Sequence, residues 1–249
     1  MTRLILALLA VGQVATVKPT VVNPNEWSYY DVIRAPGSVI VDGIITEKEW
    51  RRAPAISSFS DVFQPERAVM YPTAAKMMWD DKYLYVAFEC MDEDIWAEMS
   101  KRDDPIYCEQ AVEVFIDPEG QGQRYFEIDV SPANVVVDLM LLKGSYSGRS
   151  AINARYNVKG LLTAAKVYGT LDNRSDKDEK WTVEMAIPWS EFRGRKVNVP
   201  PRDGDSWRVQ LFRIDRPAPF PAENQHLCWS KSPGVFHQPK NFGVVIFRQ

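Results

Sequence analysis

The chain has 249 residues, of which 45% are hydrophobic and 12% aromatic, so we expect one well-packed core and not two domains of ordinary size. Its 30 lysines and arginines face 33 aspartates and glutamates, a formal net charge of −3. No basic stripe is clustered enough to neutralise a phosphate backbone, which argues against nucleic acid as a partner.

The N-terminus has the three parts of a secretory signal peptide. Arg3 precedes an apolar run over 4–11, and small residues follow up to Ala15. The run is too short to span a bilayer comfortably, and no cysteine follows it for lipid attachment. We therefore predict a signal peptide over 1–15, a lead-in segment over 16–37 and one domain over 38–249, in a secreted or periplasmic protein without a membrane span. The alternative is an N-terminal strand or buried helix.

From residue 39 onward, short runs rich in Val, Ile, Phe, Tyr and Trp are separated by Gly, Pro, Asp and Asn clusters, the pattern of an all-β domain. The predicted strands are, in chain order, 39–42, 73–79, 83–91, 111–116, 124–130, 135–142, 161–168, 181–187, 207–214 and 243–247. Helical pattern is limited to two single turns, at 189–192 and at 46–50, where Thr46 and Glu49 form a capping box.

Alternation within the strands predicts which side is buried, because successive side chains point to opposite faces of a sheet. In 111–116 the aliphatic residues share one face and Glu113 lies on the other; in 124–130, Glu127 and Asp129 likewise oppose an apolar row. We infer a two-sheet antiparallel β-sandwich, jelly-roll-like, with a solvent-facing outer face rich in acids and rings. Such a face suits sugar recognition, since pyranose rings stack on aromatic rings and their hydroxyls need polar partners.

Three cysteines are too few and too scattered for a disulfide framework or a CxxC zinc site, and the pairing of Cys90, Cys108 and Cys228 stays open. Cys90 continues the alternating apolar set of its predicted strand. We expect it to be a small buried hydrophobe.

Five sequence elements resemble, in order, those of the family 9 carbohydrate-binding modules. They are Val41-Asp42-Gly43 with Glu49-Trp50 and Ala53, the run WDDKYLYV at 79–86, AVEVFID at 111–117, WTVEMAIPW at 181–189, and a closing element with Trp229-Ser230, Phe236-His237 and Phe242-Gly243. The resemblance covers nearly the whole chain after the predicted signal peptide.

This resemblance implies a β-sandwich that clamps a sugar between two aromatic rings and holds structural calcium, with no cofactor required. Tyr107 and Phe236 lie at the positions of the family's clamping tryptophans, and Glu113 matches an acid that hydrogen-bonds to sugar hydroxyls. Glu127 occupies a position where an arginine is expected, a departure that suggests a different ligand or a weaker clamp. The implied carbohydrate site comprises Tyr107, Glu113, Glu127, Asn134, Phe236 and His237.

Calcium is expected in the acidic loop after strand 83–91, because hard oxygen ligands in a flexible loop suit that ion. The predicted ligands are Asp92, Asp94 and Asp104; alternatively, these acids are only solvated turn residues.

Two other functions stay open. A glycoside hydrolase would use two of Glu113, Glu127, Asp129 and Glu184 as paired carboxyls, and a haem module would pair His226 or His237 with Met91 or Met140. No GxSxG turn supports a serine hydrolase, so His237 is expected to be a packed loop residue. The favoured prediction is a non-catalytic protein that binds a mono-, oligo- or polysaccharide beside secreted glycan-degrading enzymes.

Overall fold

The structure is a computed structural model that describes residues 27–142, 152–153, 156–217 and 223–249, so the predicted signal peptide lies outside the described residues. It contains strands and short 3₁₀ turns, and none of the described helices is long and apolar enough to cross a bilayer. The strands are β1 (Tyr29–Arg34), β2 (Ser60–Asp61), β3 (Thr73–Trp79), β4 (Tyr83–Met91), β5 (Ala111–Asp117), β6 (Arg124–Val130), β7 (Val136–Leu142), β8 (Ile152–Asn153), β9 (Leu162–Tyr168), β10 (Lys180–Pro188), β11 (Ser206–Asp215), β12 (Gln225–Cys228) and β13 (Gly243–Arg248).

Nine of the predicted strands are present, with ends that differ by at most one residue, because runs rich in β-branched, aliphatic and aromatic residues end at turn residues. The predicted turn at 189–192 is also confirmed as a 3₁₀ turn, Trp189–Phe192. Two predictions are wrong. Residues 39–42 form no strand, and 46–50 form irregular turns without a helix.

Strand β1 lies within residues 16–37, the segment predicted to be a lead-in outside the domain. It pairs in parallel with β13 on one side and with β3 on the other, and the side chains of Tyr30 and Val32 are buried in the core. The folded sheet therefore includes residues from Tyr29 onward.

The strands form one hydrogen-bonded path, β8-β7-β6-β5-β11-β13-β1-β3-β4-β10-β9, with β12 and β2 added beside β11. The path folds over on itself, because one apolar cluster contains residues from both of its halves. Val114 and Ile128 contribute from one half, and Phe88 and Val183 from the other. The predicted β-sandwich is confirmed, with its two layers joined through the parallel β13–β1 pair.

The predicted faces of β5 and β6 are also confirmed. Val112, Val114 and Ile116 all belong to the central core, as do the alternate residues of β6. The core lies between the two layers of the sandwich. Glu113 and Glu127 therefore lie on the opposite face of their sheet, which we call its second face.

Two of the family-like sequence elements meet at Glu184 of β10. Its carboxylate is fully buried and accepts hydrogen bonds from Trp50 Nε1 at 2.6 Å and from the backbone N–H groups of Asp42 and Gly43 at 2.9 and 2.8 Å. Gly43 has a φ of +85°, and a β-carbon there would lie 2.9 Å from the backbone carbon of Ala165. Residues 39–42 thus run to the Glu184 carboxylate instead of adding a strand.

The three cysteines are free thiols in the structure. Cys90 lies in the central core with no exposed surface, as predicted, and Cys108 is exposed.

Candidate functional site

A cleft of about 450 Å³ opens on the second face of β5, β6 and β11, within the size range of small-ligand sites. It is lined by Phe63, Tyr107, Glu113, Glu127, Leu139, Ile214, Arg216, His226, Gly234, Val235, Phe236 and His237. Five of the six residues predicted for the carbohydrate site lie in this one cleft. Two other clefts of about 400 and 470 Å³ have no acidic side chain in their lining.

Aromatic rings form the walls and mouth of the cleft. Phe236 stacks on Phe212, with ring centroids 4.4 Å apart and planes inclined by 23°, and Phe63 lies tilted against Phe236 at 6.2 Å. Tyr107, on the 3₁₀ turn Ile106–Cys108, is 46% exposed. Phe236 is thus held rigidly by its neighbours, whereas the Tyr107 ring is available at the mouth.

Two carboxylates of the cleft lining, Glu113 and Glu127, converge with that of Asp129, which lies beneath the floor. Glu113 and Asp129 lie directly opposite each other on β5 and β6, and Glu127 shares their face. One oxygen from each lies within 4.8 Å of the others. The expected solvent-facing acid surface is wrong on this point, since Glu113, Glu127 and Asp129 are only 2%, 5% and 0% exposed. Loops carrying Phe63, Tyr107 and Phe236 cover the face.

Burial raises the pKa of all three carboxyl groups, because the charged form loses its water. The pKa of Glu113 rises to about 8, although the nearby Arg216 guanidinium acts to lower it. The pKa values of Glu127 and Asp129 rise well above their usual range, through burial first and then through the neighbouring acids.

His237 occupies one side of the floor. Its ring stacks on Phe115 at 5.2 Å, and Nδ1 lies 3.0 Å from the Tyr125 hydroxyl and 3.7 Å from Glu127 Oε2. Burial lowers the pKa of His237 to about 4, so its imidazole is neutral at pH 7. The prediction that His237 is a packed loop residue is confirmed, although its partner is a side chain.

Arg216 and His226 also line the cleft, although neither belongs to the predicted carbohydrate site. Arg216 Nη2 donates to the backbone oxygen of Tyr107 at 3.0 Å and lies 3.5 Å from His226 Nε2. Continuing the alternation of β11 past Ile214 would have placed Arg216 on the cleft face. No sequence pattern places His226 on the cleft face, because its short strand β12 was not predicted.

Asn134 is the predicted site residue that the structure places elsewhere. It lies in the turn between β6 and β7 with a φ of +58°, and its side-chain amide donates to the backbone oxygen of Thr163 at 3.3 Å. Its contact is with β9, in the other half of the sheet path.

The predicted calcium ligands do not gather into one group among the described residues. Asp92 bonds to Arg213 at 2.9 Å, and Asp94 to Arg174 at 3.2 Å. Asp104 accepts from the backbone N–H groups of residues 100 and 101. Because other partners already occupy these carboxylates, the three do not fit a shared ion, and calcium binding stays a prediction.

The placement of side chains also bears on the two alternative functions. Glu184 is bonded to Trp50 near β10, away from the cleft, so it cannot pair with the floor acids across a glycosidic bond. Met140 packs on the central core and His237 on the opposite face of the same sheet, so these two cannot face each other across a haem.

Fold and cleft together define a β-sandwich binding module, with rings at the entrance and acids at the floor. The sequence matches the family described as "Carbohydrate family 9 binding domain-like" over residues 41–249, and the chain belongs to that family. This confirms the resemblance. The family consists of non-catalytic binding modules, in agreement with the expectation that the chain binds carbohydrate and does not cleave it.

Two curated relatives match 63% of the chain: "Exoglucanase XynX" of Acetivibrio thermocellus at 28% identity and "Endo-1,4-beta-xylanase A" of Thermoanaerobacterium saccharolyticum at 26%. The match covers only 12% and 11% of those proteins.

Among solved structures, a putative carbohydrate-binding protein from Bacteroides uniformis has a TM-score of 0.66 at 16% identity, covering 89% of this chain and all of that one. A family 9 module from Caldicellulosiruptor kristjanssonii has TM-scores of 0.60 in complex with cellotriose, at 16% identity, and 0.57 with glucose, at 17%. These matches cover 89% and 88% of this chain, and 94% and 95% of the other. At such identities the likeness concerns the fold.

Proposed function

We propose that this protein binds a sugar or the end of a glycan non-covalently in the cleft, between Tyr107 and Phe236. The observation that carries the proposal is that these two rings line the same cleft as Glu113 and Glu127. A pyranose ring between them would stack its C–H groups on aromatic faces, and its hydroxyls would meet the carboxyl groups of the floor.

Calorimetric titration tests the proposal with glucose and cellotriose, the ligands of the structural neighbours, together with xylo-oligosaccharides. Phe236→Ala and Tyr107→Ala should each weaken binding about tenfold or more, since each removes a stacking surface. Tyr29→Ala is the matched control, because Tyr29 is 60% exposed on β1 and outside the cleft. Absence of binding to every sugar at millimolar concentration, or loss of affinity in the Tyr29 control alone, would contradict the cleft as the sugar site.

We also infer that the protein is exported and acts beside glycan-degrading enzymes. Residues 1–15 have the charge, apolar run and small residues of a signal peptide, and the two curated relatives are named as an exoglucanase and a xylanase. Expression of the full chain in a bacterial host should yield an exported protein that begins at residue 16, which N-terminal sequencing checks. A product that keeps Met1 in the cytoplasmic fraction would rule the export out.

A further inference from the structure

Acidic side chains gather at several buried places in the described part of the chain, and two of these are balanced by the protein itself. Glu184 receives three hydrogen bonds from Trp50, Asp42 and Gly43. Asp92 and Asp215 share the guanidinium of the fully buried Arg213. Buried carboxylates in proteins normally have such partners.

The floor of the cleft has no such balance. Glu113 Oε2, Glu127 Oε2 and both oxygens of Asp129 are buried without any hydrogen-bond partner. These side chains are at least nine-tenths buried, and they present oxygens to one common point, since one oxygen of each lies within 4.8 Å of the other two. Three buried carboxyl groups therefore lie close enough together for one oxygen of each to contact the same ion.

Apolar side chains lie beside the three acids, and the Arg216 guanidinium lines the same cleft. In the strand register each acid lies opposite an apolar residue on the same sheet face, at the pairs Glu113–Phe212, Glu127–Phe115 and Asp129–Val137. Arg216 directs its Nη2 to the Tyr107 backbone oxygen, and within the described residues none of the three acids forms an ion pair with a lysine or arginine. His237 Nδ1 lies 3.7 Å from Glu127 Oε2 and 3.0 Å from the Tyr125 hydroxyl.

We propose that Glu113, Glu127 and Asp129 bind a divalent metal cation, calcium by preference, at the floor of the cleft. Carboxylate oxygens are hard ligands, and calcium accepts six to eight of them at about 2.3–2.6 Å in flexible geometry. Two oxygens on opposite sides of such an ion would stand about 4.6–5.2 Å apart, which is compatible with the observed spread. Magnesium requires shorter, near-octahedral contacts and should bind more weakly. The bound ion would hold the three carboxyl groups ionised and would neutralise two of their three charges.

The site shares Glu113 and Glu127 with the proposed sugar cleft, but cation binding does not require a sugar. Cation binding is measured with no sugar present, so failure of one proposal leaves the other standing.

The experiment uses the full protein after removal of metal with EDTA and dialysis, with calcium chloride titrated by calorimetry and by thermal unfolding. Calcium at about one hundred times its Kd should raise the unfolding midpoint by roughly 5 °C or more, because only the folded chain brings the three acids together. Magnesium should require at least tenfold more ion for the same shift.

Glu127→Gln and Asp129→Asn should each weaken calcium binding at least tenfold. Both variants replace an unpaired buried carboxylate by its neutral isostere and are expected to fold, which circular dichroism checks. Glu66→Gln is the matched control, since Glu66 is exposed, belongs to neither group of converging acids and should leave binding unchanged.

Three outcomes would overturn the proposal. In the first, millimolar calcium produces neither heat nor a thermal shift; in the second, Glu127→Gln and Asp129→Asn bind calcium as tightly as the unaltered chain. In the third outcome, methylammonium, and not calcium, stabilises the protein and Glu127→Gln removes the effect, which would make the three acids a site for an organic ammonium group.

Discussion

Replacing Arg213 with methionine should lower the free energy of unfolding by about 3–5 kcal/mol, the usual cost of removing one partner from a buried ion pair. Arg213 has no exposed surface, and its Nη2 lies 2.9 Å from Asp92 Oδ2 and 3.5 Å from Asp215 Oδ1. Its Nη1 also donates to the Tyr71 backbone oxygen and to Thr73 Oγ1, both at 3.2 Å. Without the guanidinium, two buried acids would face each other unneutralised.

Urea unfolding measures the effect, and Lys180→Met is its control. Lys180 bonds to Glu89 at 2.8 Å in a partly exposed pair, whose loss should cost less than about 1 kcal/mol. An Arg213→Met variant as stable as the Lys180→Met control would contradict the argument.

The Arg213→Met deficit should also shrink as the pH falls to 5. Burial raises the pKa of Asp92 to about 7 even though the Arg213 guanidinium acts to lower it. Loss of Arg213 would raise that pKa further. An acid whose pKa is higher in the folded state destabilises the fold as pH rises from its unfolded pKa toward its folded one. At pH 5 the folded variant would hold Asp92 protonated, and most of that cost would be absent.

Replacing Glu184 with leucine should destabilise the fold by about 3 kcal/mol or more. The change leaves the buried N–H groups of Trp50 and Gly43 without an acceptor, at about 1–3 kcal/mol for each unsatisfied group. Glu184→Gln is the matched comparison, because the amide keeps one carbonyl oxygen in the same volume and should cost less. Urea unfolding, monitored by tryptophan fluorescence, measures the difference in stability. Equal stabilities of the two variants would refute the role assigned to the carboxylate.

Local pattern was sufficient for most strands. β3, β4 and β6 begin and end where the alternation of apolar residues predicts, and Val112 and Val114 lie on the predicted face. These properties depend on neighbours one or two residues apart in the chain.

Strand β1 could not be predicted in this way, because it is extended by its two distant partners. β13 and β3 pair with it in parallel and supply its hydrogen bonds, while its own sequence has polar and proline-containing flanks. The same reason explains β12, which is held between β11 and β2.

The candidate site was only partly accessible to sequence reasoning. The resemblance to the family brought Tyr107, Glu113 and Phe236 into one predicted site, and the structure places them in one cleft. It also included Asn134, which contacts β9 instead. Asn134 lies in a turn, and the alternating pattern of strand residues does not predict where the side chain of a turn residue points.

The sequence by itself determined an all-β chain, the apolar face of each main strand and the set of acids opposite that face, because these follow from the two-residue period of a strand. Only the tertiary structure decided that Glu113, Glu127 and Asp129 are buried together, with four of their oxygens lacking a hydrogen-bond partner. Their desolvation depends on loops near residues 63, 107 and 236, and segments so far apart in the chain meet only when the sandwich closes.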